Sequence, residues 1–344
     1  MNKLWNAIEH YDFDAPISEY TFSIRLAHEN GWTEDFTRKA IIEYKKFMYL
    51  ATTARSMVSP SEIVDKVWHQ HLIFTNSYNE FCQILGKRIE HIPSTHAAGD
   101  KARFEEARTL TKYLYEETFG KQPSEFWNNT EMHQSIPLTK ARHSVLKVTI
   151  FGILLVPLIV CALYFILGPV YIHINNPWFL LGYLLIVIGT GAGLYFYSLK
   201  KLKTVFQSWP KTSFVFNLNA AECLHLQTGS MLSVINATVN DHVIERKLLI
   251  TKENKLKLNT SEAHTSEDIS IIESLKQEDL YYGQLVDHLK GKPVFCNASN
   301  ALESFKKPFH ESNDFVSLYI RNITALLFMF SLGVVRVVTR LLRH

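Results

Sequence analysis

Residues 148–167, VTIFGILLVPLIVCALYFIL, contain no charged side chain. A helix needs about 20 apolar residues to cross a hydrocarbon core of about 30 Å, and this stretch supplies them. A second uncharged run, WFLLGYLLIVIGTGAGLYFYSL at residues 178–199, does so again. The link between them, GPVYIHINNP, carries no charge, whereas Lys140, Arg142 and Lys147 precede the first run and Lys200, Lys201 and Lys203 follow the second. Basic flanks stay on the cytoplasmic side. Residues 148–199 are therefore predicted to form a transmembrane hairpin in the cell inner membrane, with cytoplasmic soluble parts before and after it. Tyr171, Trp178, Tyr195 and Tyr197 fall near the expected interfaces.

Gly182, Gly189 and Gly193 share nearly one helical face. That pattern suits a close helix contact, inside the hairpin or between protomers of a homo-oligomer, and equally the ordinary glycine enrichment of membrane helices. Residues 315–344 form either a basic membrane-associated segment or a third membrane helix. Only fourteen uncharged residues separate Arg321 from Arg336, a length that favours an interfacial helix. Arg336, Arg340 and Arg343 then share one face suited to anionic lipid head groups.

The remaining composition narrows the classes. Among 344 residues, 47% are hydrophobic, with 14 Gly and 11 Pro, which excludes a disordered or collagen-like chain. A balance of 36 basic against 33 acidic residues leaves no large field for nucleic acid. Cys82, Cys161, Cys223 and Cys296 are scattered without a CxxC pair, as expected in a reducing compartment. The first thirty residues show no apolar signal-peptide core.

Residues 1–128 are predicted to form an all-α cytoplasmic domain, joined to the membrane by a linker at 129–147. Thr33 is the expected cap of a helix whose Phe36, Ala40, Ile41, Tyr44, Phe47 and Met48 recur at helical spacing. In Ser59-Pro60-Ser61-Glu62, Ser59 is the expected cap of the next helix. Its Val64, Val67, Trp68, His71 and Leu72 make one stripe, with Asp65 and His69 on a neighbouring face. A further helix is expected over 101–119, stopped by Gly120.

The run PSEIVDKVWHQHLIFTNSYNEFCQILGKRIEHIP, with EYKKFMYL before it and TLTKYLYEETFGKQPSEFW after it, resembles the glycine-rich domain-containing protein family of bacteria and plants. The resemblance rests on an Asp-x-x-Trp-His-x-His core and on the residues around it. Those are Asp65, Trp68, His69, His71, Tyr78, Cys82, His91 and Pro93, with Tyr115, Phe119, Gly120 and Trp127 closing the pattern. The stretch NAAECLHLQTGSMLSVINATVNDHVIERKLLI at 219–250 resembles related bacterial membrane proteins. The resemblance implies no activity, and the glycine-rich tail is missing.

His69, His71, Cys82 and His91 are the candidate metal ligands, for a divalent metal such as zinc, with Asp65 as an orienting carboxylate. Positions two apart on a helix point about 200° apart, so His69 and His71 cannot share an ion on an intact helix. The competing reading places His71 in the core and pairs His69 with Asp65 at the surface. A Cys82 nucleophile is the weaker enzymatic reading, because its neighbours are apolar.

Residues 212–312 read as a small α+β module. Two helices near 219–226 and 229–240 precede a hairpin with strands near 247–251 and 256–259, a winged-helix-like order. Residues 211–314 hold 11 basic and 14 acidic side chains, so a protein partner is expected rather than DNA. The overall expectation is a mainly α, membrane-anchored scaffold or interaction protein, in contact with lipid and an unknown protein partner. A metal-dependent enzyme or metal-binding protein is the alternative.

Overall fold

The structure, a computed structural model, describes residues 3–92 and 98–342; Pro93 and Arg343 lie outside the described residues. It is mainly helical, with fifteen α-helices and one three-stranded sheet among those residues. The chain divides into two compact units, residues 1–135 with 211–305 and residues 136–210 with 306–344.

In the first unit, the N-terminal residues form α1 (Lys3–Glu9), α2 (Phe22–Asn30), α3 (Glu34–Thr53), α4 (Glu62–Ile73), α5 (Thr75–Leu85), α6 (Ala98–Phe119) and α7 (Ser124–Trp127). The Thr33 side chain caps α3 by accepting from Phe36 N–H. Phe36, Ala40, Tyr44, Phe47 and Met48 are buried against Trp68, Phe81 and Phe126. The cap of α4 is Ser61, which accepts from Val64 N–H, and not Ser59. Ser59 is instead buried, its N–H donating to Thr111 Oγ1 at 2.9 Å, so a contact 52 residues away moves the helix start by two positions. Gly120 ends α6 at φ +82°, a left-handed conformation that favours glycine.

The later residues of this unit form α10 (Ala220–Thr228), α11 (Met231–Ile244), β1 (Leu248–Ile250), β2 (Lys255–Leu258), α12 (Ser266–Leu275), β3 (Leu280–Tyr281), α13 (Tyr282–Leu289) and most of α14 (Pro293–His310), whose last residues, from 306, fall in the second unit. Strands β1 and β2 pair antiparallel through Leu248–Leu258 and Ile250–Leu256, and β3 adds to β2 through Leu256–Leu280. Ile235, Leu248, Leu256, Ile271, Leu285, Leu289 and Phe295 fill one core. The two chain segments of this unit are joined by polar contacts. Asn297 Nδ2 donates to Ile24 O at 3.0 Å, Glu34 N–H to Glu222 at 2.8 Å, and Lys292 pairs with Glu19 at 2.8 Å.

The second unit contains α8 (Val145–His173), α9 (Asn176–Ser208) and α15 (Asn313–Leu341), each long and apolar enough to cross a membrane. The ten-residue link expected between the first two is reduced to Ile174 and Asn175, because α8 continues helical through His173. Helix α15 runs unbroken through Arg321 and Arg336 and lies parallel to α8. Tyr319 meets Thr149 near one end (2.7 Å), and Arg336 donates to Ile174 O at the other (2.7 Å). Close approach occurs at Gly152 and Gly333, where an added Cβ would lie 2.7 Å from Leu327 Cδ1 and 2.9 Å from Tyr183 Oη. Gly182, Gly189 and Gly193 have no neighbour within 4 Å of that position.

Candidate functional site

Helix α4 positions the motif. Its start is fixed by the Ser61 hydroxyl, which donates to Phe126 O at 2.6 Å while accepting from Val64 N–H. From there, 3.6 residues per turn bury Val64, Val67, Trp68 and His71 on one side. Asp65 and His69, one turn apart, fall on the more exposed side.

His91 comes to them from the segment after α5. Its Nε2 lies 2.9 Å from Asp65 Oδ1, and His69 Nε2 lies 3.3 Å from Asp65 Oδ2. One ligand atom from each of the three residues can be chosen so that all lie within 4.8 Å of one another. The two imidazole rings meet edge to face with centroids 4.4 Å apart. Trp68 packs edge-on against His91 at 4.6 Å and donates its indole N–H to Tyr78 Oη at 3.3 Å. Tyr78 in turn donates to Ile89 O, which ties down the segment that carries His91.

The structure separates the other candidates from this group. His71 is fully buried, with Nδ1 at 2.9 Å from Tyr44 Oη and Nε2 at 3.1 Å from Ser77 Oγ. Phe13 and Phe22 stack edgewise on its ring. Burial pushes its imidazole down to about 3, so it stays neutral at physiological pH. Cys82 is a buried free thiol on α5, outside the convergent group. Asp65, expected behind the histidines as an orienting carboxylate, lies between His69 and His91. The one-turn spacing of Asp65 and His69 is visible in the sequence; the convergence of His91 on the same carboxylate is not.

The closing motif residues belong to a separate network. The buried Glu43 carboxylate accepts from Tyr115 Oη (2.8 Å), Trp127 Nε1 (2.7 Å) and Lys46 Nζ (2.8 Å). Phe119 packs against Trp5, Tyr49 and Tyr115. Beside the Asp65 cluster opens a cleft of about 670 Å³, lined by Glu62, Asp65, Trp68, His91, Phe104 and Arg108 among others.

Residues 5–115 match the family model described as UCP032817-like. That UCP032817-like span contains Asp65, Trp68, His69, His71, Tyr78, Cys82 and His91. No curated protein and no solved structure matches the chain.

Two arginines of α15, Arg336 and Arg340, turn inward. Arg336 donates to Tyr171 O, Ile174 O and Asn176 Oδ1, and its guanidinium lies 4.8 Å from the centre of the Phe179 ring. Arg340 reaches Ile174 O at 3.2 Å. The expected outward, head-group-facing placement is thereby replaced for Arg336, which is 5% exposed. The last carbonyls of α8 have no partner within their own helix, and they attract the cations.

Proposed function

We propose that the protein spans a bacterial inner membrane three times and holds its soluble unit at the cytoplasmic face as a scaffold or interaction platform. The observation that carries this reading is the capping of α8 by Arg336. A third crossing moves Arg336 and Arg340 to the far side, against the positive-inside tendency. Binding the partly negative carbonyl end of α8 and Asn176 offsets that cost. Lys140, Lys147, Lys200, Lys201 and Lys203 flank the opposite ends of the helices, in keeping with a cytoplasmic side there.

Two surfaces support the interaction role. Strand β1 is an outer strand of its sheet, and Ile250 on it is 63% exposed, with Leu249 and Ile244 also exposed. An open strand edge with apolar side chains suits pairing with another chain. The winged-helix-like reading of α10, α11 and the β1–β2 hairpin belongs with this role, and the net-acidic balance of 211–314 favours protein over nucleic acid. The glycine face of α9, open within one chain, suits self-association in lipid. The resemblance to glycine-rich domain-containing proteins rests on the motif from Asp65 to His91.

A photo-cross-linking residue at Ile250 tests the role in cells. A discrete adduct at Ile250, missing from a control at the exposed Glu117, is expected. Identical background at both positions would remove the support for an interaction platform.

A further inference from the structure

We propose that Asp65, His69 and His91 form a mononuclear site for a divalent cation of the zinc class, with one coordination position open toward the neighbouring cleft. This goes beyond the membrane-anchoring role and does not depend on it.

The donor set is the first argument. Two imidazole nitrogens and one carboxylate are a common three-ligand set for catalytic zinc, which leaves the fourth position for water or a small ligand. Bonds of about 2.0–2.1 Å in a tetrahedral site hold ligand atoms about 3.3 Å apart. Here His69 and His91 Nε2 lie 3.3 Å and 2.9 Å from the two Asp65 oxygens. Modest side-chain rotations therefore bring all three onto one ion, with Nε2 of each ring as the ligand atom and the proton on Nδ1.

Preorganisation is the second argument. A surface ion pair between a histidine and an aspartate contributes little to stability, yet this one has two layers of support. Trp68 holds the His91 ring edge-on, and Tyr78 bridges the Trp68 indole to the Ile89 carbonyl. Asp65 and His69 are fixed one turn apart on α4, whose start is pinned to Phe126 by Ser61. Such outer contacts orient ligands in metal sites. They also give one purpose to Asp65, Trp68, His69, Tyr78 and His91. His71 has both ring nitrogens engaged by Tyr44 and Ser77 and supports the core instead.

Room for a fourth ligand is the third argument, since Asp65 and His91 line a cleft of about 670 Å³. The test uses the full-length, tag-free chain in detergent, stripped with a chelator and titrated with Zn²⁺ alone, then with Co²⁺. One equivalent of Zn²⁺ per chain is expected, and Co²⁺ should give the visible absorption of a four- or five-coordinate ion. His69→Ala and His91→Ala should each weaken binding roughly 100-fold. His288→Ala, at an exposed histidine elsewhere, should leave it unchanged. His69 is exposed, so its variant should melt like the parent, which separates loss of metal from loss of fold. Absence of stoichiometric binding, or binding indifferent to both ligand variants, would overturn the proposal.

Discussion

The indole of Trp68 meets the imidazole of His91 edge to face at 4.6 Å, although 23 positions separate them in sequence. Tyr78 closes this link by bonding both Trp68 and the carbonyl of Ile89. Tyr78→Phe removes both bonds without opening a cavity, so a loss of roughly 1–2 kcal/mol is expected. Thermal unfolding of the purified chain should show a lowered Tm. An unchanged Tm would mean that the 89–92 segment is held by other contacts.

A buried histidine and a half-buried glutamate give the first unit opposite pH dependences. His71 is held neutral down to about 3 by burial, whereas in an unfolded chain it takes up a proton near 6.5. Its contribution is present above about 6.5 and is lost as pH falls from there toward 3. Burial pushes the Glu125 carboxyl up to about 7, above its ordinary value of 4.5. The folded state keeps that proton longer, so its contribution is present below about 4.5 and is lost as pH rises through 7. Melting curves across pH 3–8 should therefore flatten on the acid side for His71→Leu and on the neutral side for Glu125→Gln. Unaltered slopes would contradict these assignments.

The packing of α15 against α9 makes a steric prediction. A Cβ at position 333 would sit 2.9 Å from Tyr183 Oη, which donates to Met329 O at 3.0 Å. Gly333→Val should displace that hydroxyl and lower the midpoint of detergent-induced unfolding, by an overpacking cost of about 1–3 kcal/mol. A Cβ at Gly189 meets nothing within 4 Å, so Gly189→Ala should leave the midpoint unaltered. If α9 pairs between protomers, the Gly189 change should instead reduce cross-linked dimer. Equal effects of both changes on the unfolding midpoint would contradict the packing of α9 and α15.

Much of the fold was legible because its signals are local. The Thr33 cap, the Gly120 stop and the uncharged runs at 148–167 and 178–199 each need only a few neighbouring residues to be read. What escaped depends on distant partners. Ser59 lost its expected cap role because Thr111 engages it. Glycine spacing pointed to Gly182, Gly189 and Gly193, whereas the tight helix contacts form at Gly152 and Gly333, each set by the helix across from it. Arg336 looked like an outward cation because its carbonyl partners lie about 160 positions earlier. The site was half legible for the same reason. His69 and His91 stood out by residue type, but only the return of the 89–92 segment to α4 reveals Asp65 between them.

The three-span arrangement is tested most directly by cysteine labelling in intact cells. With Cys82, Cys161, Cys223 and Cys296 replaced by Ala, single cysteines are placed at Asn175 in the α8–α9 turn, at Leu342 after α15, and at Glu253 in the β1–β2 turn. A membrane-impermeant maleimide should label Asn175→Cys and Leu342→Cys in intact cells, and Glu253→Cys only after permeabilisation. Labelling of Glu253→Cys before permeabilisation, or protection of Leu342→Cys until then, would contradict the arrangement.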